Sequence, residues 1–251
     1  MHLKNQIKKI INVFGFALIQ KKHYDALTNF NQLSFLDNNY IFNNYFNKKD
    51  SILCFDIGAN IGQTALKFNK KFQNSCIYCF EPIKNTFEKL VCNVQNCDNI
   101  KTYNFAFGSE EGEIKVFHQS DDRWNSLNER ANTTQKNNLT LTSEIVKVEK
   151  VDTFVTKNNI SEINILKTDT EGFELNVLKG AKECLEIKKI DFIYVEVGFD
   201  INDVSHTHWL EVFNFLEKYE YLFLGFFELC YNRNKSLHYA NALFASNSAL
   251  N

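Results

Sequence analysis

The 251-residue chain reads as an α/β protein: a doubly wound, mostly parallel sheet with helices on both faces. Three observations predict that class. Short β-branched and aromatic runs, such as residues 52–55 and 163–166, alternate with helix-forming stretches. Parallel strands require that rhythm, because each return must cross over the sheet. The first run ends in Asp56-Ile57-Gly58-Ala59-Asn60-Ile61-Gly62, a strand that turns through glycines into a helix. Polar or acidic residues then stand where later runs stop.

Composition narrows the function. Hydrophobic residues make up 44% and charged residues 23%, which is the make-up of a globular domain with a substantial core. A net charge of −2 supplies no field to attract nucleic acid, so no nucleic-acid partner is expected. The seven cysteines are an odd number, and of these Cys76 and Cys79 have C-x-x-C spacing with no second pair to complete a zinc site. They read as buried free thiols of a reducing compartment, which places the protein in the cytoplasm.

Residues 1–48 are helical in pattern, Asn- and Phe-rich, and are expected to cap a domain of residues 49–251. Ile7, Ile10, Ile11, Phe14 and Leu18 share one helical face, with Lys8, Lys9 and Asn12 outside it. The apolar stretch 10–19 is too short to span a bilayer, and no small-residue cleavage site follows it. The helix should pack on the domain; weak contact with a membrane surface is the second reading of its lysine-flanked face.

The domain then unfolds in order. Residues 52–55 form a buried strand and 63–72 the helix after it. Residues 76–80 make a second strand, 84–93 a second helix and 101–107 a third strand. A tight turn at 108–112 leads to the alternating run 113–118, a hairpin strand. Residues 119–143 are polar and Asn/Thr-rich, with Trp124 and Leu127 as isolated apolar residues. A loop of that length in a compact domain points to function, and it reads as a flap over substrate. Residues 145–148 form a short strand, 151–158 a short helix, 163–166 a buried strand, and 173–179 a helix stopped at Gly180. A strongly apolar strand, 192–197, is interrupted by Glu196. An amphipathic helix spans 207–218. Strands 221–227 and 241–246 follow with no helix between them, so they should pair antiparallel at one edge.

Ligands of an open parallel sheet sit outside the C-terminal ends of its strands. The first strand ends at Asp56, Gly58, Ala59, Asn60 and Gly62, and the second at Glu81 and Pro82. Glu81 stands about 20 residues beyond Gly62, where a carboxylate can accept hydrogen bonds from both ribose hydroxyls of an adenosine group. Asn104 and Ala106, an amide and a small residue, could border an adenine ring. The strand after the flap ends at Lys167, Asp169 and Glu171, and the next at Glu196. One acid at a strand end is ordinarily a helix cap, but a set along one edge is a site.

The turn discriminates between nucleotides. A dinucleotide cofactor wants G-x-G-x-x-G, but Asn60 and Gln63 stand where the second and third glycines belong. No G-K-[ST] follows for a P-loop. An acid before the turn suits the sulfonium and ammonium of S-adenosylmethionine better than two phosphates.

F-D-I-G-A-N-I-G, F-E-P at 80–82, N-F-A-F-G at 104–108, L-K-T-D-T-E-G-F-E-L-N-V-L-K-G-A at 166–181 and I-Y-V-E at 193–196 together resemble the core of the FkbM-type class I methyltransferases. The resemblance covers residues 52–197, and K-x-D-x-E-G is its most specific part. It implies a seven-stranded Rossmann-like sheet of order 3-2-1-4-5-7-6 and S-adenosylmethionine as cofactor. It also implies O-methylation of a hydroxyl, commonly on a sugar, a glycan or a secondary metabolite. Residues 1–48 and the flap lie outside it, and such enzymes choose their substrates there.

Asp169 is the candidate base, at the end of the strand beside the glycine turn, with Lys167 and Glu171 in its loop to orient it or touch the acceptor. Capping of the helix at Phe173 is the alternative role for Asp169, and ion pairing that for Lys167. Trp124, His118 and Glu196 are assigned to the acceptor side. His206 and His208, two apart at a helix start, face different directions and read as helix-terminal surface rather than a metal pair. No metal is assigned, although Asp169 and Glu171 could together hold a divalent ion. The rival readings are an NAD-dependent sugar oxidoreductase or epimerase, disfavoured by Asn60, and a non-catalytic scaffold on a methyltransferase fold.

Overall fold

The computed structural model describes residues 34–38, 45–46, 51–72, 74–118, 125–126, 142–203 and 205–250. The predicted N-terminal helix and most of the flap, Trp124 included, lie outside the described residues. Among the described residues the strands are, in chain order, β1 (Ile52–Ile57), β2 (Ser75–Phe80), β3 (Ile100–Tyr103), β4 (Ala106–Phe107), β5 (Gly112–His118), β6 (Asn125–Ser126), β7 (Thr142–Glu149), β8 (Ile163–Thr168), β9 (Ile190–Gly198), β10 (Tyr221–Tyr231) and β11 (Leu237–Ser246). The helices are α1 (Gln63–Lys71), α2 (Lys84–Val94), α3 (Val151–Lys157), α4 (Glu174–Lys179), α5 (Lys182–Glu186), α6 (Trp209–Glu217) and α7 (Asn247–Leu250).

The main sheet has seven strands in the order β10-β11-β9-β8-β1-β2-β3. Counted within this sheet alone and from the β3 edge, the order is 3-2-1-4-5-7-6. β1, β2, β3, β8 and β9 run parallel, and β11 pairs antiparallel with both β9 and β10. The central strands read as continuous apolar runs because helices cover both faces: every residue of β8 is buried, Lys167 included. One face packs Phe55, Phe80, Phe107, Phe154 and Val177 into an aromatic-rich core, and the other packs Phe35, Phe46, Phe68 and Phe192. Phe35 and Phe46 belong to the short described pieces of the predicted cap, and both are buried in the domain's own core.

The third predicted strand, 101–107, divides at Asn104. β3 stays in the main sheet, while β4 joins a second sheet of order β4-β7-β5-β6. The Asn104 side-chain amide donates to the Glu81 and Pro82 carbonyls, both at 2.9 Å, and holds the chain in that bend. Gly180 follows α4, but with φ −76° rather than a left-handed value. It is glycine for another reason: a Cβ there would stand 2.1 Å from the Gly108 carbonyl oxygen. All seven cysteines are free; Cys54, Cys79 and Cys184 are buried, whereas Cys92 is exposed. Among the described residues no helix is long and apolar enough to cross a membrane.

Candidate active site

The turn after β1 is left-handed at Gly58 (φ 74°), Asn60 (φ 50°) and Gly62 (φ 94°). At Gly58 only glycine fits, because a Cβ would stand 1.9 Å from the Asp169 carbonyl oxygen. The Asp169 N–H donates to the Ile57 carbonyl at 3.1 Å, so the β1 turn and the β8 loop touch backbone to backbone. Gly62 caps α1, and a Cβ there would meet Leu90 of α2 at 2.9 Å. These glycines also let one part of the chain approach another.

Glu81 leaves the end of β2 and bends back to that turn. Its Oε2 accepts from the Asn60 N–H at 3.0 Å and its Oε1 from the Ile83 N–H at 2.9 Å. Burial pushes this carboxyl up to about 7, against the lowering effect of those two N–H groups. A cleft of about 730 Å³ opens here. Ile83, Phe105, Phe107 and Val116 form its apolar wall, and Asn60, Glu81, Asp169 and Glu171 its polar one. Each Glu81 oxygen keeps a further lone pair, so the group can accept two more hydrogen bonds from a vicinal diol. A slot lined by aromatic and branched side chains beside it suits a flat heteroaromatic ring. A ribose and an adenine meet those two demands, and the residues present therefore fit the adenosine end of S-adenosylmethionine.

At the other end lies a charge cluster. Lys167, the fifth residue of β8, is 5% exposed. Its Nζ lies 3.1 Å from Asp56 Oδ1 and 3.3 Å from Asp169 Oδ2, and donates to the Gly58 carbonyl at 3.3 Å. Burial alone would lower Lys167, but the Asp169 and Asp56 carboxylates outweigh it and hold the amine above its ordinary value. Burial pushes Asp56 up, and Lys167 opposes the rise. Behind Asp169 runs a chain of titratable groups. Glu196 hydrogen-bonds Asp169 and lies 3.5 Å from His206 Nε2, and His206 Nδ1 is 2.6 Å from Asp203 Oδ2. Burial, then the charges of Asp169, Glu174 and Glu171, drive Glu196 well above the usual carboxylate range. Burial works against a charged His206, but the Asp203 hydrogen bond and charge lift it above its ordinary value. Glu171 is pushed up to about 7 by burial and the Asp169 charge.

A different acid, Glu174, fixes the loop. Fully buried, it accepts from the Thr170 N–H (2.8 Å) and hydroxyl (3.0 Å), the Gly172 N–H (3.1 Å), and the Thr207 N–H (3.2 Å) and hydroxyl (2.6 Å). It ties the Asp169 loop to the segment that carries His206.

Of the cofactor residues expected from sequence, Gly58, Asn60, Glu81, Pro82, Ala106 and Asp169 wall the cleft. Asp56 and Ala59 are buried, Gly62 caps α1, and Asn104 braces the bend between β3 and β4. On the acceptor side, Glu196 stands behind Asp169. His118 ends β5 with its side chain outside the described residues, where Trp124 also lies. His208 does cap α6, accepting from the Leu210 N–H at 3.3 Å. His206 is not helix-terminal surface: it is 8% exposed and stacked on Tyr239 at 4.7 Å. Ile83, Phe105, Phe107 and Val116 were not legible in the sequence, because an apolar residue facing a ligand looks like one facing the core. Nor was Glu174, because an acid in a helix's first turn needs no further explanation.

A doubly wound sheet of this order, with a carboxylate held at the end of its second strand beside an apolar slot, defines a nucleoside-binding protein of the class I methyltransferase type. Residues 56–223, more than half of the chain, match the methyltransferase FkbM domain, and the chain belongs to that family. It is 30% identical over 161 residues to the hexuronic acid methyltransferase AglP of Haloferax volcanii, covering 63% of this chain and 61% of that protein. It is 26% identical over 159 residues to the 2-O-methyltransferase NoeI of Sinorhizobium fredii, covering 59% and 64%. The matches thus span less than two thirds of these relatives' own lengths. Among solved structures, M. capricolum TrmK in complex with S-adenosylhomocysteine aligns with a TM-score of 0.48 at 15% identity, over 86% of this chain and 70% of that one.

Proposed function

We propose that the protein transfers a methyl group from S-adenosylmethionine to a hydroxyl of a sugar, a glycan or a related small metabolite. One observation carries this reading. A cleft has at one end Glu81, fixed by two backbone N–H groups beside an apolar slot, and at the other a carboxylate, Asp169, held by a buried lysine. The names of the two relatives, a hexuronic acid methyltransferase and a 2-O-methyltransferase, support a carbohydrate hydroxyl as acceptor.

When bound, S-adenosylmethionine supplies a methyl on a sulfonium: the new O–CH3 bond forms as the S–CH3 bond breaks, and the thioether S-adenosylhomocysteine remains. The chain must align an oxygen with that methyl, exclude water and accept a proton. Alignment of this kind is worth about 7–11 kcal/mol and a well-placed base about 10²–10⁴-fold. Asp169 takes the acceptor proton in this reading. Lys167 grips it through Oδ2, Glu196 hydrogen-bonds it and lies 3.5 Å from His206, and His206 pairs with Asp203, so the charge left by the proton transfer is spread over the row.

Calorimetric titration of the full chain with S-adenosylhomocysteine and with NAD tests the cofactor. Binding of the first and not the second is expected; binding of NAD alone would overturn the assignment. Asp169→Asn should leave S-adenosylhomocysteine affinity within about twofold and slow methyl transfer by about 10²–10⁴-fold. Wild-type turnover in that variant would place the base elsewhere.

A further inference from the structure

A second cleft, of about 420 Å³, lies beside the first, and the two share Asp169. Its walls come from residues to which the sequence assigned no chemistry, Thr64 and Lys67 of α1, Tyr194 of β9, Glu228 of β10 and Asn241 of β11, with Lys167 and Asp169 between it and the first cleft. Glu228 interrupts its own strand. It has φ +50°, and the β10–β11 register shifts between Phe227 and Cys230. A non-glycine residue in the left-handed region is strained, and a bulge re-aims a side chain. Here the bulge delivers a carboxylate to the cleft.

That carboxylate is half satisfied. Oε2 accepts from the Tyr194 hydroxyl at 2.8 Å and from the Asn241 side-chain amide at 3.0 Å. Tyr194 is itself 3% exposed and seated against the Phe35 ring at 4.6 Å, so the arrangement is rigid. Oε1 has Lys67 Nζ at 3.8 Å, a long contact to a largely exposed side chain. Its lone pairs are therefore open to a ligand hydroxyl, and the Lys67 ammonium stands beside it as a donor. Phe68 and Leu36, both buried, back the cleft.

We propose that this second cleft is the acceptor subsite, taking one neutral sugar ring. Glu228 Oε1 accepts a hydrogen bond from a hydroxyl next to the one presented to Asp169. The proposal rests on the methyltransferase reading above and assigns its acceptor a place and a charge. A uronate carboxylate set against Glu228 would face a fixed like charge, so the wild-type cleft should favour uncharged glycosides.

The test uses the full chain saturated with S-adenosylhomocysteine. Saturation-transfer NMR reads binding of methyl α-D-glucopyranoside, -galactopyranoside, -mannopyranoside and methyl glucuronide. At least one neutral glycoside should bind, and more tightly than the glucuronide. Glu228→Ala and Asn241→Ala should weaken it at least tenfold, with S-adenosylhomocysteine affinity unchanged within about twofold. Glu228→Gln, which keeps the shape and removes the charge, should narrow the preference over the glucuronide. Retained S-adenosylhomocysteine affinity shows that each variant is folded. The subsite is overturned if none of the four sugars contacts the wild-type protein, or if Glu228→Ala binds the glycoside as well as wild type. Failure of the wild-type chain to bind S-adenosylhomocysteine strikes the underlying methyltransferase reading instead.

Discussion

Glu81 is the residue whose replacement should speak most directly to the cofactor. Both of its oxygens already accept from a backbone N–H, and both have a lone pair left for a ribose hydroxyl. Glu81→Gln keeps the shape but not the chemistry. The new amide nitrogen is a donor, and whichever way the group turns it meets either the Asn60 or the Ile83 N–H, donor against donor. Leaving one buried N–H unpaired costs about 1–3 kcal/mol, and a lost hydrogen bond from a ribose hydroxyl to a charged oxygen about 1.5–3. The first penalty is present with or without cofactor and lowers stability; the second alone predicts a loss of about 1.5–3 kcal/mol in cofactor binding, or about 10–150-fold in Kd. Calorimetric titration with S-adenosylhomocysteine at pH 8 measures it. Acidity supplies a matching control. Burial raises this carboxyl to about 7, and only the ionised form accepts from both N–H groups and both hydroxyls. Wild-type affinity should therefore fall as pH drops from 8 to 6, approaching about tenfold per unit below the pKa, and Glu81→Gln should be insensitive over that range. A Glu81→Gln variant that binds within threefold of wild type, or a flat wild-type profile, would refute the assignment of Glu81 to the ribose.

Two other perturbations address the scaffold of the site. Gly58→Ala places a methyl 1.9 Å from the Asp169 carbonyl oxygen and asks alanine to hold φ 74°. The backbone strain alone is about 1–3 kcal/mol, so a lowered urea midpoint and slowed methyl transfer should appear together, and an unchanged midpoint would contradict the contact. The cluster around Asp169 should also tilt stability with pH. Glu81 and Glu171 have pKa values raised to about 7, so their stabilising protonation is complete below the unfolded carboxylate pKa and lost as pH rises towards 7. His206, raised above its ordinary value, holds its contribution below the unfolded histidine pKa and loses it above. Both effects have the same sign. Urea unfolding should show lower stability at pH 8 than at pH 5.5, and Glu171→Gln with His206→Gln should flatten the difference. A slope unchanged in the double variant would mean the cluster is not what titrates.

What could be read from the chain alone was whatever local pattern enforces. β1 and β8 are buried on both faces, so their apolar runs end abruptly, and Asp56, Glu81, Lys167 and Asp169 show up as polar residues at strand ends. The absence of a helix between β10 and β11 was enough to make that pair antiparallel. Partners set by the packing of distant segments were not legible. Gly58 is glycine because Asp169, more than a hundred positions on, presses its carbonyl there. Asn104 reads from the chain as an adenine contact, and nothing local shows that its amide also braces the bend between β3 and β4. His206, two residues before the helix-capping His208, is buried only because the loop after β9 folds back over Glu196 and against Tyr239. Glu228 and Asn241 carried no sign at all, since a polar residue near the edge of a sheet is ordinarily a solvated one. Local pattern set the alternation of strands and helices, the edge hairpin and the acids along the strand ends, because burial on two faces and short crossovers leave few other solutions; the strand order was implied by the family resemblance. Folding in three dimensions set which of those acids lie against one another, which glycines let distant parts of the chain touch, and where a second cleft opens. Those depend on distances of a few ångströms between residues that no local pattern relates.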